Sequence, residues 1–342
     1  MCMDKNVRIT GAIVSLCFIF LSPTGYAEET TLPSDTVTIV DGTGESVDVS
    51  RPVMRIVSIT SRTSEIICAL GAGDRIVGRD SYSIVPSSLE DVPVVAGSSY
   101  TPNVELILEL EPDLVIDDSM LSDDYRQRIE DAGIPVIVET SWDPATVDGV
   151  VSHLGIVLDE EDRAGEIIGF IEQYHDIVEE RCADLKEEEK PAVFFEWSQP
   201  YHSGASGTLF HNLTVASGGI NVVADETAKY PTVSPEWLAE RDPDIILRLV
   251  SSTEDLTEEM MVEARDEILS RPGLISVKAV EDDRAYILSS PVTTGVRSII
   301  GELYLAKWFH PDHFEDIDPE EVHEELVQQF FGQELEGVYV YP

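Results

Sequence analysis

The sequence predicts an α/β protein of two similar lobes joined by one long helix. Three observations carry this reading: short apolar strands alternate with helical segments, one phrase occurs twice, and an unbroken helical stretch lies between the two occurrences. The phrase is NVELILELEPDLVI at residues 103–116 and SPEWLAERDPDIIL at residues 234–247. In each, a glutamate (Glu105, Glu236) opens a helix-like stretch. Seven residues later Pro-Asp (Pro112-Asp113, Pro243-Asp244) leads into an apolar run.

Taken in order, residues 1–27 read as a secretory signal peptide cut after Ala27. Lys5 and Arg8 precede an apolar run from Ile13 to Leu21, followed by small residues at the exit. The competing reading keeps this leader as a membrane anchor. Residues 28–50 form an extended segment with a hairpin turn at Asp41-Gly42-Thr43-Gly44. An N-terminal lobe at 51–157 follows. In it RIVSIT, RIVGRD, PVVAGS, DLVID and PVIVET are strands, interleaved with helices such as TSEIICALGAG, which Gly71 closes.

From 158 to 190 the bridging helix shows Ile167, Ile168, Ile171, Tyr174, Ile177 and Val178 at helical spacing, and Pro191 ends it. Its breaker-free stretch of some 28 residues would make a rod of about 42 Å. A second α/β lobe with C-terminal helices, 191–342, restarts the alternation at AVFFEW.

The composition excludes several functions. Sixty-six acidic residues against 22 Lys and Arg leave a net charge of −44 in 342 residues. Such a chain repels nucleic acid and offers no basic patch to a membrane surface, so membrane contact would come only through a partner or a retained leader. Acids spread over helices and loops suit a surface solvated in high salt. The mature cysteines, Cys68 and Cys182, have no metal or redox spacing and read as inert thiols. His310-Pro-Asp-His313 reads as a helix exit, His175 as a solvated residue of the bridging helix, and Asn212-Leu213-Thr214 fits a glycosylation acceptor. No nucleophile elbow, zinc-protease motif or phosphate loop is present, so no catalytic residue is assigned and no enzyme is expected.

The segments RIVSITSRTSEIICALGAGDRIVG, NVELILELEPDLVI, AGIPVIV, SGASGTLFHNLTVASGGINVVAD, YPTVSPEWLAERDPDIIL and RPGLISVKAVEDDRAYIL carry a more specific likeness. In order and spacing they resemble the solute-binding components of ABC importers for metal chelates, across roughly residues 36–311. The cargoes of that family are ferric siderophores, haem and cobalamin. The resemblance implies two Rossmann-like lobes on a helical backbone, a ligand cleft between them, a position outside the cytoplasm and a monomeric state. It also implies that Glu105 and Glu236 dock onto basic residues of the permease, each favoured in the first turn of its helix by the macrodipole. A sensor ectodomain without transport is the alternative of another class.

Ligands of open α/β sheets collect beyond the carboxyl ends of the strands. The residues at those ends are Arg62, Tyr82, Tyr100 and Trp142 in the first lobe. In the second they are Trp197, Tyr201, His202, Tyr230, Arg248 and Arg297. Aromatics gathered in a chain with 7% of them suit a large flat ligand. Three scarce arginines suit carboxylate or phosphate. The expected cargo is therefore an iron chelate, with a corrinoid second and haem third. No cofactor or bare metal site is expected.

Overall fold

The protein is described by a computed structural model covering residues 35–342 except 198 and 252–255. The signal-peptide reading of residues 1–27 lies outside the described residues. The chain opens with the expected hairpin, β1 (Asp35–Val40) antiparallel to β2 (Ser46–Arg51). Asp41 holds its turn by accepting hydrogen bonds at Oδ1 from the Thr43 hydroxyl and from the N–H groups of Thr43 and Glu45. Gly42 must be glycine: its N–H donates to Val138 O at 2.8 Å, and a Cβ there would lie 2.9 Å from Thr140 N.

The N-terminal lobe runs β3 (Ile56–Ser58), α1 (Ser61–Ala69), β4 (Ile76–Asp80), β5 (Val94–Ala96), α2 (Val104–Glu109), β6 (Leu114–Asp118), α3 (Asp123–Glu130) and β7 (Val136–Glu139). Its sheet has the order β5-β4-β3-β6-β7, every pair parallel. Two helices then lead across, α4 (Val147–Leu158) and α5 (Glu161–Cys182).

The C-terminal lobe runs β8 (Ala192–Trp197), α6 (Leu209–Ala216), β9 (Ile220–Asn221), α7 (Pro235–Arg241), β10 (Ile245–Val250), α8 (Glu258–Leu269), α9 (Lys278–Glu281) and β11 (Ala285–Ser289). Then come α10 (Ser298–Phe309), α11 (Pro319–Phe331) and β12 (Val340–Tyr341). Its sheet order is β12-β11-β10-β8-β9, with only β12 antiparallel.

The duplicated phrase does the same work in both lobes. Asp113 accepts hydrogen bonds from the Met54 and Arg55 N–H groups, each 2.8 Å, and its own N–H donates to Arg55 O. Asp244 accepts from Ala192 N–H at 2.8 Å and donates to Ala192 O. The carboxylate thus staples the start of one strand to the neighbour beside it. The residue before each proline, Glu111 or Asp242, is left-handed, with φ of 45° and 46°. A non-glycine residue in that region costs about 1–3 kcal/mol and persists where the surroundings over-determine it.

The bridging helix is shorter than the sequence suggests. It has 22 residues, about 33 Å, and ends at Cys182. Lys186–Lys190 instead turns through a 3-10 segment, Glu187–Glu189. Acids at a helix C-terminus oppose the macrodipole, which accounts for the early stop. The helix is also packed on other elements along its length. Ala164, Ile167, Phe170, Ile171, Tyr174 and Val178 are buried, Phe170 meets Phe330 edge-on at 5.6 Å, and the Tyr174 hydroxyl donates to Glu325 at 3.1 Å. Each such Ile, Val or Phe side chain contributes roughly 1.5–3 kcal/mol relative to exposure. One core therefore runs through the facing sides of both sheets and along α4, α5, α10 and α11, while each lobe keeps a smaller core on its outer side.

His175 is not merely solvated. Its ring pairs with Glu302 at 2.9 Å, and that hydrogen bond raises its pKa to about 9.

Candidate functional site

A cleft of about 800 Å³ lies at the carboxyl ends of the strands and is lined from both lobes. It is built by matched elements. Thr60 caps α1 by accepting from Thr63 N–H, and Thr208 caps α6 by accepting from His211 N–H. Just inside each cap sits a side chain of the cleft wall, Arg62 on α1 and Phe210 on α6.

Eight of the ten sequence-predicted residues line this cleft: Arg62, Tyr82, Tyr100, Trp142, Trp197, His202, Tyr230 and Arg297. Tyr82, Tyr100 and Tyr230 are 43%, 64% and 41% exposed, far more than buried core aromatics would be. On the C-terminal side the rings form a slab. Trp197 lies 5.5 Å from His202, 5.5 Å from Phe210 and 5.6 Å from Tyr230, centroid to centroid. The Lys229 ammonium stands 5.8 Å from both the Trp142 and Tyr230 rings, and so joins aromatics of the two lobes.

Tyr201 and Arg248 are elsewhere. Tyr201 packs beneath the Arg271 guanidinium, 4.7 Å from its centroid, among the outer core of the C-terminal lobe. Arg248 donates to Glu196 and Glu267 behind the strand. Both side chains leave the cleft because alternation along a strand or turn sends neighbours to opposite faces.

The arginines that do reach the cleft are already paired. Arg62 donates to Asp118, which is wholly buried at the end of β6. Arg297 is 1% exposed and donates twice to Glu65, at 2.8 and 2.7 Å. This ion pair ties the head of α10 to α1, and so one lobe to the other. Tyr339 lies over the Arg297 guanidinium at 5.1 Å, and burial followed by the charge of Arg297 pushes His323 down to about 3, leaving it neutral.

Under the N-terminal wall, burial raises the Asp117 pKa to about 7, opposed by the Ser99 hydroxyl. Asp80 is raised in the same direction by burial, against its bond from Ser83.

Sequence reasoning missed the polar floor, Glu65, Asp80, Ser98 and Ser99, and the C-terminal strap Glu336–Tyr339. The strap lies between this cleft and a second cavity of about 810 Å³ beside Trp308 and Tyr286. Its signal was the alternation Val338-Tyr339-Val340-Tyr341, whose last two residues pair with β11.

Other groups stay out of the site. His310 donates from Nε2 to Gly218 O at 3.1 Å. Burial pushes the Cys68 and Cys182 thiols up to about 12 and about 11, keeping them unreactive. Among the described residues no three His, Cys, Asp or Glu side chains are grouped to hold a metal ion, and no helix is long and apolar enough to cross a membrane.

The sequence matches the periplasmic binding protein family over residues 56–292. The chain belongs to that family. A Bacillus subtilis ABC transporter substrate-binding lipoprotein, YvrC, is 27% identical over 288 residues, covering 82% of this chain and 87% of that protein. A Halobacterium salinarum cobalamin-binding protein is 24% identical over 264 residues, covering 73% of this chain and 71% of its own. Among solved structures, the molybdate periplasmic binding protein MolA of Haemophilus influenzae superposes with a TM-score of 0.76 at 18% identity. That superposition covers 88% of this chain and all of MolA. The fold is therefore the two-lobed periplasmic binding protein fold, as the resemblance in the sequence implied.

Proposed function

We propose that this protein captures a corrinoid-type metal chelate outside the cytoplasm and delivers it to the permease of an ABC importer. The observation that carries the choice of cargo is the state of the cleft arginines. Arg297 spends both arms of its guanidinium fork on Glu65, and Arg62 commits one arm of its fork, Nη2, to Asp118. A ferric complex bearing catecholate or carboxylate charge, or haem with its propionates, needs those forks free. It would also meet Asp80 and Glu336 in the wall of a protein of net charge −44.

A corrinoid presents amides and broad apolar faces, which suit an aromatic slab and the lining hydroxyls of Ser61, Ser98, Ser99 and Ser290. The cobalamin-binding relative supports the same choice. The iron chelate favoured by counting arginines in the sequence gives way to this reading. Calorimetric titration with cyanocobalamin, a ferric tricatecholate and haemin tests it. Saturable binding of cyanocobalamin alone is expected, and preferential binding of the ferric complex would refute it.

Docking rests on the repeated helices. Glu105 and Glu236 are exposed in the first turns of α2 and α7, behind matched caps in which Asn103 and Ser234 accept N–H groups at 3.2 and 3.1 Å. The Glu236 carboxyl is held below its ordinary pKa by its own backbone N–H and by Ser234. Two such carboxylates can grip a two-fold permease. Glu105→Arg combined with Glu236→Arg should cut ligand-stimulated ATP hydrolysis by the reconstituted importer at least about tenfold, with cargo affinity unchanged. Undiminished stimulation would end the docking proposal.

A further inference from the structure

The cluster that absorbs Arg248 has a role of its own. Glu196 is fully buried and receives five N–H donations. Two come from Arg248, through Nε at 2.6 Å and through Nη2; two come from Arg271, at 2.7 and 2.8 Å; the last is from the Tyr201 backbone at 2.8 Å. Arg271 and Arg248 in turn bind Glu267 of α8, each at 2.7 Å. Two glutamates meet two arginines, so the cluster carries no net charge to offer a ligand.

Its position gives it a different use. Glu196 immediately precedes Trp197 on β8, so one residue points into the cluster while the next faces the cleft. The turn that follows folds back on itself: Trp197 N–H donates to His202 O at 2.8 Å and Gln199 N–H to Trp197 O at 2.7 Å. That turn depends on Tyr201 holding a left-handed φ of 64°, an unfavourable conformation for a tyrosine. Glu196 grips the Tyr201 N–H and Arg271 covers its ring.

We infer that Glu196 is a positioning residue for ligand specificity. Through Tyr201 it fixes the turn that sets Trp197 and His202 as a rigid face of the cleft, with Arg248, Glu267 and Arg271 anchoring it to β10 and α8. A rigid aromatic face loses little freedom on binding, which is how preorganisation raises affinity. The role in binding rests on the corrinoid reading; the rigidity of the turn does not.

The experiment uses the full chain labelled with 5-fluorotryptophan, the Trp197 resonance being assigned by its loss in Trp197→Phe, with cyanocobalamin as the probe. Glu196→Gln should broaden or shift the Trp197 fluorine resonance, leave those of Trp142 and Trp308 in place, and weaken cyanocobalamin binding by about tenfold. Tyr201→Gly keeps all four charged side chains and accepts the positive φ without strain. It should remain folded, show the same Trp197 signature and lose about threefold in affinity; it decides alone if Glu196→Gln does not fold. Folded variants with an unmoved Trp197 resonance and wild-type affinity would overturn the inference. Failure of the wild type to bind cyanocobalamin would sink the corrinoid reading instead, with the Trp197 resonance still deciding whether Glu196 holds the turn.

Discussion

The N-terminal lobe runs β3–α1–β4, then α2–β6–α3–β7; the C-terminal lobe runs β8–α6–β9, then α7–β10–α8–β11. In both, the first strand lies between the second and third and the fourth flanks the third. They differ at the edges, where the first lobe adds β5 beyond β4 and the second adds antiparallel β12 beyond β11. The larger difference is chemical. Both scaffolds present aromatics to the cleft, but the first sets Tyr82, Tyr100 and Trp142 beside Arg62 and Asp80, whereas the second packs Trp197, His202, Phe210 and Tyr230 against one another. Backbone geometry kept by a shared staple therefore leaves the wall residues free to diverge.

The hardest test of this comparison asks whether the lobes are one unit. Arg297→Met leaves Glu65 buried without its partner and should destabilise the protein by about 3–5 kcal/mol, seen as a lower midpoint of a single denaturant transition. Two separate transitions would show lobes that fold independently.

Asp117 gives the first lobe its own pH response. Its pKa is about 7 in the folded state against an ordinary 3.8. A carboxyl raised on folding favours the native state at low pH and loses that contribution as pH climbs from about 4 through 7, on the order of 4 kcal/mol at most. Asp117→Asn should remove this slope in unfolding measured between pH 4 and 8. An unchanged slope would place the titration elsewhere.

The walls can then be compared directly. Trp197→Ala should weaken cyanocobalamin binding by about 30-fold and Arg62→Met by no more than about threefold. The reverse ranking would make the N-terminal wall the dominant one and revive an anionic cargo.

The smallest effect belongs to the bridge. His175, raised to about 9 by Glu302, contributes fully below its ordinary 6.5 and loses that contribution as pH rises through 9. Because its side chain is 49% exposed, solvent screening holds the effect to roughly 1 kcal/mol or less. His175→Gln should flatten stability between pH 6 and 10 by that amount.

Much of this architecture was legible because it rests on local pattern. The strands, the paired Pro-Asp staples and the aromatic positions at strand ends follow from periodicity and from the rule that α/β ligands sit beyond carboxyl termini. Charge pairing was not legible. With 66 acids in the chain, every arginine has many candidate partners. Nothing local to Arg248 says that Glu196 and Glu267 will claim it while Arg62 and Arg297 stay at the cleft. The end of α5 misled for a related reason: the absence of proline suggested continuity, while three consecutive glutamates disfavoured it. Tyr201 shows the limit of reading strand ends, since a one-residue difference from His202 decides between cleft and core.

The Pro-Asp staple has a practical consequence. Because Asp113 and Asp244 do the same job 131 residues apart, any lesion made in one half has an internal counterpart in the other. Exchanging either aspartate for asparagine loosens the strand starts of one lobe, at the end away from the cleft, and leaves the other lobe as its control in one polypeptide and one buffer. What the twins share reports the staple; what separates them reports how firmly each lobe holds its own sheet.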